Sequence, residues 1–151
     1  MSDTAVPEHN AGEMKEYKFE DLHVGLKHSF QARFTDEDAA AFAKLSGDIN
    51  PLHVDEAYAK AAGFPGPVLF GLMTSSLYSK LVGVYLPGKY ALLQGLDIDF
   101  SSPVHAGDLL LVEGEIIFLS DAFKRLEIKA TIRRENRKLV SKATIRAGFH
   151  G

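Results

Sequence analysis

The sequence predicts an α+β architecture in which a curved antiparallel sheet covers a buried helix. Three observations predict it. The last third holds three to four strand candidates, 91–100, 109–119, 124–133 and 138–149, with breaks at Ser101-Ser102-Pro103, Ala106-Gly107-Asp108, Ser120-Asp121 and Glu135-Asn136. Ahead of them, 68–85 carries apolar residues nearly all the way round, the pattern of a helix buried on most sides. One strand and two short capped helices come first, and this grouping of elements favours layers over alternating β-α units.

In chain order, His28 to Phe34 alternates, with Phe30, Ala32 and Phe34 on one face, and reads as the first strand. Thr35 followed by Asp38 forms a capping box with Asp in place of Glu, so a helix over 37–45 follows and ends near Gly47. Asp55 caps a second short helix over 56–62, stopped by Gly63 and the break Pro65-Gly66-Pro67. Leu86-Pro87-Gly88 ends the buried helix. In the strand candidate 124–133, Leu126, Ile128, Ala130 and Ile132 are expected inside, with Glu127, Lys129, Thr131 and Arg133 outside.

Composition bounds the chemistry. The 151 residues, 46% hydrophobic and 25% charged, suit one domain, expected over 17–151 behind a loose tail over 1–16. The absence of Cys removes disulfides, thiolate catalysis and cysteine-ligated metal centres. A net charge of -3 gives no global attraction for nucleic acid or anionic lipid, so neither is an expected partner. Phe64 to Leu86 is interrupted by prolines, hydroxyls and Lys80, which removes a membrane span, and the first residues lack a secretory pattern; a cytoplasmic protein is expected. The histidines show no metal-ligand spacing, so no metal is expected.

The densest cluster of potential catalysts is Leu45 to Asp55, read as a loop between the two short helices. Pro51 disfavours helical geometry at Asn50, so the chain must bend there. Such a bend can aim Asp48 and His53 at one water, giving the base and proton donor that add water across a polarised double bond or remove it. The same residues also fit a plain turn, with Asp48 as its cap and His53 an ordinary loop histidine. Arg133 to Lys138 is a basic cluster at a hairpin, fit either for solvent or for an anionic ligand.

The segment FAKLSGDINPLHVDEAYAKAAGFPGPVLFGLMTSSLYSKLVG, residues 42–83, resembles the hydratase segment of the MaoC-like (R)-specific enoyl-CoA hydratases. YKFEDLHVGLKHSFQARFTDEDAAAFA before it and GLDIDFSSPVHAGDLLLVEGEI after it keep the family's order, so the likeness covers nearly all of 17–146. The resemblance implies a hot-dog fold, with a five- or six-stranded antiparallel sheet around a long central helix, and pairing as a homodimer. It implies that Asp48 and His53 activate a water for addition to trans-2-enoyl-CoA, that Asn50 orients the loop or the pair, and that the backbone N–H of Gly71 serves the thioester oxygen. Ser79 matches a family serine in a supporting place. Where many members read His-Gly-Met, this chain reads Phe70-Gly71-Leu72, which bears on acyl-chain preference. Phe64, Phe70, Leu72 and Leu77 are expected to wall the acyl tunnel.

The implied substrate is a thioester of coenzyme A or of acyl carrier protein, with no separate cofactor. Two other functions compete. A hot-dog thioesterase commonly uses a carboxylate on or near the central helix, and no Asp or Glu occurs between Glu56 and Asp97. A non-catalytic acyl-CoA-binding or regulatory module would keep the tunnel, and Phe70 is the residue that suits it.

Overall fold

The computed structural model describes residues 13–151; the expected tail lies mostly outside the described residues. Lys15 and Glu16, at its end, are tied to the body through the Lys15 N–H to Val84 carbonyl bond (2.7 Å) and a bridge between Glu16 and Gly88.

Five strands form one antiparallel sheet in the order β1-β3-β4-β5-β2: β1 Lys27–Ala32, β2 Ala91–Phe100, β3 Leu110–Ser120, β4 Arg125–Arg134 and β5 Leu139–Phe149. The inward rows behave as the alternation predicts. Val112 and Ile116 of β3, Leu126, Ile128 and Ile132 of β4, and Ile145 of β5 are buried, while Lys129 and Lys142 face water.

Four helices lie between β1 and β2: α1 Asp36–Ser46, α2 Pro51–Val54, α3 Glu56–Ala61 and α4 Gly71–Lys80. The capping box forms, with the Asp38 N–H donating to Thr35 Oγ1 at 3.1 Å and the Thr35 N–H to Asp38 Oδ2 at 2.9 Å. Asp55 Oδ1 accepts the Tyr58 N–H at 3.0 Å and starts α3.

The central helix is shorter and less enclosed than its pattern predicts. Val68 and Leu69 lie outside the helix, their N–H groups taken by the Leu52 and Val104 carbonyls, at 3.0 and 2.8 Å. α4 therefore begins at Gly71, and it passes into a wider π turn over Leu81–Tyr85. Met73, Leu77, Tyr78 and Leu81 are buried against the sheet. At Gly114 of β3 a side chain would meet Leu81 Cδ2 at 2.6 Å, so glycine lets helix and sheet close together. Tyr78 carries its hydroxyl across the core to Ser141 Oγ at 2.8 Å. The opposite face, Leu72, Ser76, Ser79 and Gly83, is open to solvent. A uniformly apolar helix was expected to bury that face as well; one sheet covers one side only.

No helix among the described residues is long and apolar enough to cross a membrane.

Candidate active site

The D-x-N-P-x-H segment is a chain of short-range hydrogen bonds. Ser46 Oγ donates to the Phe42 carbonyl (2.7 Å) and accepts the Asp48 N–H (3.1 Å), closing α1. Asp48 Oδ1 accepts the Asn50 N–H at 3.1 Å, and Asn50 Oδ1 accepts the Leu52 N–H at 3.0 Å. Asn50 is the N-cap of α2 and Pro51 its first residue, where a missing N–H costs nothing. The bend expected before Pro51 is present, but the proline also starts a helical turn, so His53 stands on α2 rather than in a free loop.

His53 is fixed from two sides. Its Nδ1 lies 2.6 Å from the Val68 carbonyl. A carbonyl can only accept, so Nδ1 carries the proton and Nε2 is left for other chemistry. The imidazole packs on the Phe70 ring (centroids 4.3 Å apart, planes 30° apart), and Phe70 packs on Phe42 at 4.8 Å. The strap carrying these groups is itself held, since His105 Nδ1 bonds the Pro67 carbonyl at 2.9 Å.

A cleft of about 370 Å³ opens beside His53, lined with Phe64, Gly71, Thr74, Phe100 and Val140. Gly71 is the first residue of α4, so its N–H has no partner within the helix and lies at the positive end of the helix dipole. The Thr74 and Ser75 hydroxyls both donate to the Gly71 carbonyl, at 2.9 and 2.8 Å, and lock this turn. A side chain at Gly71 would meet the Phe100 ring at 3.0 Å. Glycine lets the ring approach without displacement. An imidazole Nε2 and an unpaired N–H on one largely apolar cleft can handle a proton and hold a carbonyl oxygen.

The expected site residues divide into three groups. His53 and Gly71 share the cleft. Asp48 and Asn50 occupy the exposed loop just ahead of α2, and no hydrogen bond joins Asp48 to His53 among the described residues. Leu72, 72% exposed, and Ser79 lie on the open face of α4, away from this cleft. Phe64 lines the cleft as expected of a tunnel wall, whereas Phe70 is 2% exposed and backs His53, and Leu77 belongs to the core. Thr74, Phe100, Val140 and the tethering His105 were not anticipated. Phe100 and Val140 arrive through sheet pairing, which leaves no local mark; Thr74, one helical turn after Gly71, follows from helical spacing alone.

Among the described residues no group of three or more His, Asp or Glu could hold a metal ion.

A model of the MaoC-like domain matches residues 20–137. The chain is 41% identical over 100 residues to an (R)-specific enoyl-CoA hydratase of Aeromonas caviae, covering 66% of this chain and 75% of that protein. It is 33% identical over 119 residues to a 3-hydroxybutyryl-CoA dehydratase of Methylorubrum extorquens, covering 79% of this chain and 76% of that protein. In structure it is similar to an (R)-hydratase from A. caviae involved in PHA biosynthesis, with TM-score 0.81, 33% identity, and coverage of 85% of this chain and 98% of that one. An unliganded (R)-hydratase from Pseudomonas aeruginosa also gives TM-score 0.81, at 28% identity, covering 87% of this chain and 84% of that one. The match across most of its length and the sheet wrapped on α4 lead to one conclusion: the chain belongs to the MaoC-like family and has its hot-dog fold.

Proposed function

We propose that the protein is an (R)-specific enoyl-CoA hydratase, a hydro-lyase that adds water to trans-2-enoyl-CoA to give (R)-3-hydroxyacyl-CoA and runs the reverse dehydration. The observation that carries this reading is the pairing of His53, its Nδ1 spent on Val68, with the free N–H of Gly71 across one cleft.

The enoyl thioester lies with its carbonyl oxygen on the Gly71 N–H, where negative charge grows as the enolate forms. A water between Asp48 and His53 attacks the β carbon. Asp48 keeps one carboxylate oxygen clear of the Asn50 N–H and takes the water's proton. His53 holds that water through Nε2, and the proton taken from the water is passed on by the pair to the α carbon, so both groups end in their starting state. The loop bonds through Asn50 hold Asp48 in place. No separate cofactor enters these steps, because the thioester is the substrate.

The active form in this reading is a homodimer in the cytoplasm. β2 is an edge strand, and Leu92, Leu93, Leu96 and Phe100 on it are exposed together with Leu72 on α4. An unpaired apolar edge of this kind favours pairing with a second copy. Leu72 and Ser79 are assigned to that interface, where Ser79 can support the neighbouring copy's site.

Incubation with crotonyl-CoA tests the function. The expected result is loss of the enoyl thioester absorbance with no free thiol, and (R)-3-hydroxybutyryl-CoA as product. Released thiol would make the protein a thioesterase. Binding without either change would make it an acyl-CoA-binding module.

A further inference from the structure

A second pocket, about 510 Å³, lies at the end of the sheet where β1 finishes, β3 begins and β4 turns into β5. Arg33, Asp108, Arg134, Glu135 and Asn136 line it. Two arginines face two carboxylates there, but Arg134 is poorly paired. The Arg134 side chain is only 25% exposed, and its guanidinium comes no nearer than 3.8 Å to Asp108 Oδ2, too long for a hydrogen bond. That carboxylate oxygen already accepts the His105 N–H at 2.9 Å. The Nε of Arg134 is buried without a partner, an arrangement that is costly unless an acceptor arrives.

Two more cations, Arg137 and Lys138, follow Asn136 along the turn. Arg33, Arg137 and Lys138 enter no ion pair among the described residues. The turn that presents them is fixed by the Arg134 N–H to Lys138 carbonyl bond (2.9 Å), the Arg137 N–H to Arg134 carbonyl bond (2.8 Å) and Asn136 Oδ1 on the Lys138 N–H (3.0 Å). On a chain of net charge -3, this is a local reversal of sign.

The basic pocket and the cleft beside His53 are built from the same pieces. The connection from β2 to β3 lines the cleft with Ser102 and Val104 and the basic pocket with Gly107 and Asp108. Val140, a cleft residue, follows Lys138 by two positions, and the Ser101 N–H bonds its carbonyl at 2.8 Å. Coenzyme A thioesters carry phosphates at the far end of an uncharged pantetheine arm. A site for the thioester and an open arginine-bearing depression built from the same loop and hairpin match that layout.

We propose that Arg33 and Arg134, with Arg137 and Lys138 at the rim, bind the phosphate groups of the coenzyme A thioester. This rests on the reading of the cleft as an acyl thioester site. Arginine's planar fork suits phosphate oxygens, and the Arg134 guanidinium has no carboxylate within hydrogen-bond distance among the described residues.

The test compares crotonyl-CoA with crotonyl pantetheine, which carries the same thioester without phosphate. In Arg134→Gln and Arg33→Gln, KM for crotonyl-CoA should rise about tenfold with kcat unchanged, as expected for a lost charge-assisted hydrogen bond. Turnover of crotonyl pantetheine should stay at the wild-type level, and the salt dependence of KM should flatten. Arg134→Lys should recover part of the loss. Should Arg134→Gln fail to fold, the exposed pair Arg137→Gln and Lys138→Gln serves, with about a threefold rise expected for rim charges. An equal effect on both substrates, or none on either, overturns the proposal. A defect confined to crotonyl-acyl carrier protein overturns it in favour of protein docking. If the wild type hydrates neither substrate, the hydratase reading fails on its own, and calorimetric binding of coenzyme A still decides this one: loss of binding in Arg134→Gln supports the pocket, and unchanged binding overturns it.

Discussion

Strands β3 to β5 and the loop from Gly47 to Asp55 keep their shapes by different means. In the strands, Ile116, Ile128, Ile132 and Ile145 are each 0% exposed, and the sheet is held by apolar burial that excludes water. In the loop every residue from Gly47 to Pro51 is exposed, and order comes from side chains bonding the backbone two residues on, Asp48 to Asn50 and Asn50 to Leu52. Hydration chemistry needs both. In the proposed mechanism water must reach Asp48 and His53, while the thioester must be gripped by something rigid. The two regions meet at His53, bonded to Val68 and packed on the buried Phe70.

The largest effect is expected where the rigid side supplies an N–H. Gly71→Pro removes that donor at a helix position that tolerates proline, behind a Phe70 whose ψ of 133° suits a residue before proline. Gly71→Ala places the same Cβ against Phe100 but keeps the N–H. Turnover of crotonyl-CoA should be about 10²- to 10³-fold lower in the proline variant than in the alanine one. Equal rates would show that the N–H is not used.

Phe70→Ala breaks the joint between the regions. It should cost about 3–5 kcal/mol in chemical denaturation, the range for emptying a buried ring site. Phe70→Leu keeps most of the volume and removes the ring beneath His53, so it should lose activity out of proportion to stability. Phe70→His keeps a ring and should restore turnover.

Smaller effects are confined to the core and its margin. Tyr78→Phe strips Ser141 Oγ of its partner and should lower stability by about 1 kcal/mol, with kcat unaltered. His28 stacks on Tyr85 at 3.9 Å, and burial first, then nearby Lys15, hold its pKa below 6.5. The folded protein thus binds a proton there less readily than the unfolded chain. This contribution is fully present above about pH 6.5 and is lost as pH falls through the lowered value. Thermal midpoints should therefore drop slightly below that pH, and less so in His28→Gln.

How much of this was legible follows from the same contrast. The strands were readable because alternation such as Leu126, Ile128, Ala130 and Ile132 is a local consequence of one buried face. The loop was readable through its caps and its resemblance to a known motif. The open face of α4 was not, because Leu72 looks like any core leucine until the sheet is seen to cover one side only. Phe70 looked like a tunnel wall and is a platform, and Phe100 reaches Gly71 only through pairing of β2 with β5. Contacts between elements leave no periodic signature in the chain.

The most direct test of the central claim is the rate of crotonyl-CoA hydration by Asp48→Asn and His53→Ala, measured with their unfolding midpoints. The account predicts folded proteins with turnover lower by at least about two orders of magnitude, the loss expected when acid–base catalysis is removed. Near-normal turnover in either folded variant would contradict it.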